Sequence, residues 1–463
     1  MNKLNATFSQ KILFDSAVIV FMIHILFGLL RYFITISDYY IINYILGGVI
    51  AVTGILYYKL YRPKLRLNTD FSLLLVLLAW YLISCMVMNK HYNGNYFVYN
   101  KDPLFDTAFL FLIIYPMGKY AAKHGLDPFS RIVLHIFLLC WTLFMIYVLE
   151  NVLQNHIIST PNGGQIGMSS NIQLYLNCNP NTTGAIELVM TMLCLCMVIW
   201  NKGWIWRIIY GISTSIHFII LILSNSRTCF YAILVFFVAV AFMAIVNCKW
   251  NKTKTRFLIA GIIAILVGFC FYYFRDLAFD CHESITHLRE LLTGSSEGSA
   301  ARESTGSTIN AISSGRISIY GFALKAMVYN TQRFLTGVTP AAVNAVISQI
   351  GGPEYNTYTH NQFLEIGVAL GVPCMAVFIA WLYTVVKNSI KLCFKHKEGL
   401  AVLLVPIVVA VLLLANMPEA TLLFYRFLTS YIFFFMCAWI IGRAEIKEAE
   451  SLNMKKQKSR KKR

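Results

Sequence analysis

Charged residues are scarce in this chain. Asp, Glu, Lys and Arg make up 13% of its 463 residues, about half the share of an ordinary soluble protein. Hydrophobic residues fill 58% of it, and the mean hydropathy is +0.63. That shortage excludes a soluble enzyme and implies a polytopic membrane protein. Apolar runs of about 17–25 residues recur along the whole length, each long enough to cross a bilayer as a helix. The first run lacks a small-residue cleavage site behind it, so it is expected to stay as a helix. The cysteines offer no Cys-X-X-Cys pair and no Cys/His spacing suited to zinc. Most of them lie inside apolar segments, while Cys178 and Cys281 fall in loops where a disulfide between them could form.

The apolar runs read as about twelve spans, at 13–30, 41–58, 71–88, 104–118, 132–150, 184–200, 205–223, 228–247, 257–274, 361–386, 399–415 and 421–441. An even count places both ends on one side, and the positive-inside rule chooses the side. About 28 of the 39 Lys and Arg residues fall on the side of the termini. Both termini are therefore expected in the cytoplasm. The same distribution accounts for the net charge of +18. Basic residues that alternate with apolar spans, and a KKQKSRKKR tail able to lie on anionic lipid, argue against nucleic-acid binding.

One segment breaks the rhythm of spans and short loops. Residues 275–360 contain no membrane-length run and fall on the outer side. Within them, GSSEGSAARESTGST reads as a mobile linker. The following SSGRISIYGFALKAMVYN sets Ile317, Tyr320, Leu324 and Met327 at helical spacing, as an amphipathic helix on the membrane surface or against the bundle would. The expected fold is thus an all-α polytopic membrane protein of about twelve transmembrane helices with a large external loop containing an amphipathic helix.

Three outward-facing places carry polar residues beside a span or helix. Arg227 stands in LSNSRTCF, Arg316 in SSGRISIY and His360 in THNQFLEIG, each after a Ser or Thr able to cap the helix it begins. Thr359 and Gln362 even have the spacing of a capping box. Free N–H groups at helix starts attract anions, and two guanidiniums there could clamp a diphosphate. A histidine in a helix's first turn is favoured in its neutral form, as a general base requires. Asn361 and Glu365, one turn apart, could orient that base or hold a sugar hydroxyl. Each residue also has a plainer reading. An arginine at a helix end is often an interface anchor, a boundary histidine is often structural, and Arg316 could simply face solvent. Arg426, within the outer part of the last span, is either paired, for example with Glu419, or part of a substrate path. His282 and His287 have no partner spacing.

The ordered set SNSR, SGRISIYGFAL and THNQFLEIGVALGVP, preceded by NPNTTGAIE, resembles the core of the O-antigen ligase and O-antigen polymerase superfamily. The likeness covers roughly 175–390. It divides the chain into N-terminal transmembrane helices (1–174), this core with its external loop, C-terminal transmembrane helices (391–441) and a basic cytoplasmic tail (442–463). The resemblance implies a metal-independent glycosyltransferase of the bacterial cytoplasmic membrane with its active site on the outer face. It would pass a glycan from an undecaprenyl (polyprenyl) diphosphate donor to the hydroxyl of an acceptor glycan or glycolipid, without a cofactor. Motif by motif it implies Arg227 and Arg316 for the diphosphate and His360 for the base. Asn181, Arg333, Asn361, Glu365 and Arg426 are weaker candidates for substrate contact. Tyr320 stands where the family often has Trp, and NTQRFLTGVTP replaces its usual NPLFGVG. Ligation and polymerisation therefore both stay open.

The chemistry is consistent with that implication. A diphosphate leaves as a stabilised anion, so arginine charge is the help it needs. Carboxylate pairs of the kind that hold a metal or hydrolyse a glycoside are missing from the outer side. The rival class is a transporter or lipid-linked oligosaccharide flippase. It would place polar or broken helices near mid-membrane, ideally in repeated halves. The sequence shows no internal repeat, and its midspan regions read as almost uniformly apolar.

Overall fold

A computed structural model describes residues 68–92, 95–125, 128–154, 156–159, 165–168, 173–176, 178–247, 316–355, 357–396, 398–424 and 428–461. Among these, eight helical stretches are long and apolar enough to cross a membrane. They are Thr69–Lys90, Lys101–Lys123, Arg131–Leu153, Pro180–Trp200, Trp204–Leu223, Arg227–Ile245, Val372–Lys395 and Leu428–Met454. Leu400–Ala415 is apolar but shorter. The expected spans at 13–30, 41–58 and 257–274, the linker at 294–308 and Arg426 lie outside the described residues.

Helix α1 (Thr69–Tyr92) is followed by α2 (Lys101–Phe109), which passes through a π turn (Leu110–Ile114) into α3 (Tyr115–His124). Next come α4 (Pro128–Leu153), α5 (Pro180–Trp200), α6 (Trp204–Leu223) and α7 (Arg227–Asn247). The chain between α4 and α5 forms a small antiparallel sheet of β1 (Ile158–Ser159), β2 (Gln165–Met168) and β3 (Leu174–Leu176). This sheet is a small addition to a chain that is mostly helical, as expected. Its buried Ile166, Leu174 and Leu176 bring β2 against α4 and β3 against α5.

The segment expected as the external loop is built of short helices, α8 (Arg316–Met327), α9 (Thr331–Thr336) and α10 (Val343–Gly351). Helix α8 buries Ile319, Ala323, Ala326 and Met327, whereas Ile317 and Leu324 are exposed. Of the anticipated row, Met327 packs inward while Ile317 and Leu324 face outward. Small alanines let the helix approach its neighbours, with Ile319 and Met327 packed beside them. Helix α9 packs along α1, where Trp80 Nε1 donates to the Leu335 carbonyl at 3.1 Å and the Ser84 hydroxyl to that of Thr336. These side chains satisfy the carbonyls left open at the end of a short helix in apolar surroundings.

The expected span at 361–386 is broken. Helix α11 (Gln362–Leu370) stops at Gly371, and α12 (Val372–Ile390) restarts at once, running on through a π turn (Lys391–Lys395). Gly371 has φ +88°, and a Cβ there would lie 2.4 Å from the Leu335 carbonyl oxygen. Only glycine combines that backbone with so close a neighbour, and Pro373 cannot supply the N–H needed to continue one helix across the break. His360 thus precedes a short separate helix rather than opening a span. Helices α13 (Leu400–Ala415) and α14 (Leu428–Lys461) complete the bundle.

The two ends of the bundle differ in kind. At one end, Lys119 binds Asp70 at 2.7 Å and Glu445 at 3.2 Å, Lys391 binds Glu448 at 2.8 Å, and Arg443 binds Glu398 at 3.2 Å. Trp200 Nε1 donates to the Ala401 carbonyl near the same end, at 2.8 Å. Between the ends, α4, α5 and α6 enclose a fully buried polar group. His217 Nδ1 lies 2.7 Å from Glu187 Oε2, and Trp141 Nε1 donates to Glu187 Oε1 at 3.1 Å. Thr142 Oγ1 stands 3.1 Å from His217 Nε2 and donates to the Leu138 carbonyl at 2.8 Å. The spans are therefore not uniformly apolar.

Candidate active site

Four helix starts meet at the end opposite the ion pairs. Asn179 caps α5, its side chain accepting the Asn181 N–H at 2.9 Å. Arg227 begins α7 and Arg316 begins α8. Asn361 caps α11, accepting from Phe363 N–H at 2.9 Å and Leu364 N–H at 3.1 Å. The α11 cap is Asn361, not Thr359, because Thr359 has another task. Its N–H and hydroxyl both go to Glu365 Oε2, at 2.9 and 2.8 Å.

Contacts join these starts into one group. A Cβ on Gly184 would lie 2.6 Å from Ser226 Cβ, so glycine lets α5 close on the turn that leads into α7. One residue beyond Thr228, Cys229 Sγ reaches the Asn181 carbonyl at 3.9 Å. Arg316 Nη1 donates to Thr228 Oγ1 at 3.3 Å, tying α8 to α7. Arg316 Nη2 binds Glu419 Oε1, and Glu419 Oε2 accepts from Tyr358 at 3.0 Å and lies 3.3 Å from His360 Nδ1. Glu419 itself is held in place through α11. Gln362 Oε1 accepts from Leu422 N–H at 2.8 Å, and Asn361 Nδ2 donates to the Met417 carbonyl at 2.6 Å.

Hydrogen bonding constrains the group around the histidine. Glu419 is buried and balanced by the Arg316 guanidinium. Burial and the adjacent Glu419 carboxylate hold the Tyr358 phenol far above its usual pKa, so it remains a donor. A carboxylate only accepts, so the proton between Glu419 and His360 belongs on Nδ1. Thr357 Oγ1 lies 3.1 Å from His360 Nε2 and can donate to it. His360 has φ +52°, a left-handed conformation uncommon for a residue with a side chain. It is held there by the cap that follows and by Tyr320, whose hydroxyl donates to the His360 carbonyl at 3.3 Å.

The structure therefore brings Arg316 and His360 together. Arg227 is exposed and precedes Thr228, the residue that Arg316 contacts, and Asn181 lies in the adjoining first turn of α5. Asn361 and Glu365 support the loop bearing His360 through the cap and the Thr359 contacts. Arg333 lies apart, buried in α9 with its guanidinium 4.4 Å from the Tyr329 ring centroid. Glu419, Tyr358, Thr357 and Thr228 were not singled out as site residues from the sequence. A signal for Glu419 was present, since it is the sole acidic residue between Glu398 and Glu445.

Fold and site together define a multi-pass helical membrane protein with a polar, arginine-bearing cluster where its helix starts gather. Residues 212–379 match the family model described as O-antigen ligase, which supports the O-antigen ligase superfamily and a membrane glycosyltransferase of that type. The matched stretch contains Arg227, Arg316 and His360, whereas Glu187 and Glu419 lie outside it. No curated protein matches the chain.

Proposed function

We propose that this chain transfers a glycan from a polyprenyl diphosphate to an acceptor hydroxyl, at the outer face of a bacterial cytoplasmic membrane, with both termini cytoplasmic. The observation that carries this reading is the arrangement around Glu419. An arginine, of a type suited to a diphosphate, and a histidine whose Nε2 lies beside an alcohol share the two oxygens of one carboxylate, which supports this reading. Thr357 Oγ1 marks where an acceptor hydroxyl would stand. In the transfer, the acceptor O–H gives its proton to His360 Nε2 as its oxygen bonds the anomeric carbon. The bond from that carbon to the phosphate oxygen breaks, and the diphosphate leaves as an anion. Arg316, with Arg227 on the neighbouring helix start, stabilises the charge developing on the leaving oxygen, as do the N–H groups of the helix starts. The histidine contributes about 10²–10⁴-fold, and this route asks for no metal.

The buried Glu187–His217 pair favours a second reading, since ionisable groups within membrane spans often mark transport paths. Its geometry argues against transport. Both imidazole nitrogens and both carboxylate oxygens already have protein partners, and both side chains are fully buried. The pair reads as a lock between helices.

The test is turnover by the purified protein in nanodiscs with a polyprenyl-diphosphate oligosaccharide, with and without EDTA. Release of polyprenyl diphosphate together with a transferred or lengthened glycan is expected. His360→Ala should lower it by about 10²-fold or more, and Arg316→Ala by a similar factor. Well-folded wild-type protein that is inert across several carriers and acceptors would defeat the reading. The product would separate ligation from polymerisation.

A further inference from the structure

We propose that Glu419 is the positioning residue of this site, setting the guanidinium that takes the diphosphate and the imidazole that takes the proton through one shared carboxylate. The inference rests on the transferase reading above but concerns a residue that neither the motifs nor the matched stretch includes. Three observations carry it. Glu419 is buried, so its charge is screened by the protein groups around it and little by water. Its oxygens divide the work, Oε1 to Arg316 and Oε2 to His360 and Tyr358. Its turn is fastened to α11 by Gln362 and Asn361, the two residues that follow His360, so carboxylate and imidazole move as one body.

The arrangement has a consequence for the order of events. With no diphosphate present, Glu419 shares its charge between cation and imidazole. A diphosphate that draws Arg316 toward itself leaves more of that charge on the Nδ1–H of His360, which strengthens Nε2 as a base. Donor binding thereby readies the group that activates the acceptor. The charged and titratable groups around His360 are Glu419 and Tyr358, with Arg316 and Tyr320 on α8 and Glu365 on α11 beyond Thr359.

The experiment needs no substrate in its first arm. Diethylpyrocarbonate acylates neutral imidazole, and the rate at His360, read by peptide mass spectrometry on the full chain in nanodiscs, gives a midpoint pH. Glu419→Gln should move that midpoint down by about one unit, and Arg316→Gln should move it up by about one unit, because the two remove charges of opposite sign. Glu419→Asp, which keeps the charge on a shorter stem, should fall between wild type and Glu419→Gln. It keeps the test readable if the amide variant folds poorly. In the second arm, Glu419→Gln should lower kcat by about 10²-fold or more, with its acid limb displaced toward lower pH. An active wild type whose midpoint is unmoved by Glu419→Gln would overturn the positioning role alone. A wild type without glycan transfer would overturn the transferase reading, and this role with it.

Discussion

Two histidine–glutamate pairs among the described residues differ in their spacing and in their exposure. In the bundle, Thr142 gives its hydroxyl proton to the Leu138 carbonyl, so it can only accept from His217 Nε2. Both nitrogens of His217 are thereby committed, one to Thr142 and one to Glu187 at 2.7 Å, and neither side chain has any exposure. At the helix starts, Thr357 Oγ1 lies 3.1 Å from His360 Nε2, the pair is longer at 3.3 Å, and 16% of the His360 side chain is open. The same residue types thus make a closed lock in one place and a partly open pair in the other. The identity of the residues does not separate them; the spacing and the exposure of each pair do.

The largest effect expected from this comparison is a crossover. His217→Ala should cost about 3–5 kcal/mol of stability by leaving Glu187 buried without its partner, seen as early thermal unfolding in detergent. Replacing both members with apolar residues, as in E187L/H217M, should recover most of that loss, because a buried pair offers little net stability over well-packed hydrophobic side chains. His360→Ala should do the reverse, leaving the unfolding temperature nearly unchanged while turnover collapses. A stable His217→Ala protein that had lost turnover would mean that the closed pair takes part in the chemistry after all.

The second effect is intermediate and tests what keeps the open pair in place. Gly371→Ala adds a Cβ 2.4 Å from a backbone oxygen at φ +88°. The strain should cost about 1–3 kcal/mol and shift α11, on whose cap His360 depends. Turnover should therefore fall more than stability does, while hydrogen exchange across the distant His217 helix stays as in wild type. Equal exchange changes in both regions would mean that the two pairs are not independently supported.

How far the sequence disclosed these regions follows from the range of the forces involved. Spans were legible because composition over twenty residues decides membrane insertion, and Arg316 and His360 were legible because each stands where a helix begins. The break at Gly371 was harder to read. The apolar run continues through it, and both the positive φ and the contact with Leu335 that require the glycine are set by packing. Which side of α8 packs inward was left open for a related reason, since in a membrane protein large apolar residues can face outward and alanines inward. Glu187 and His217 are thirty positions apart, and Glu419 lies 59 positions from His360. Such pairings are set by helix packing, which spacing along the chain does not reveal. Each carboxylate nevertheless left a trace as a lone acid in a long apolar region, Glu187 being the sole one between Glu150 and Asp276.

The smallest effect concerns the third donor to Glu419. Tyr358→Phe removes a 3.0 Å hydrogen bond to Oε2 but keeps the ring that packs on His360 at 4.2 Å between centroids. Arg316 still balances the carboxylate, so no unpaired buried charge results, and the loss should be about 1 kcal/mol, or about fivefold in turnover. With its competitor gone, Oε2 is left to His360 alone, so the imidazole should hold its proton more firmly and the acid limb of the pH profile should move upward. That direction is opposite to the one expected for Glu419→Gln. If both variants moved the limb the same way, the two donors would not be competing for Oε2, and Tyr358 would serve the site through its packing on the imidazole instead.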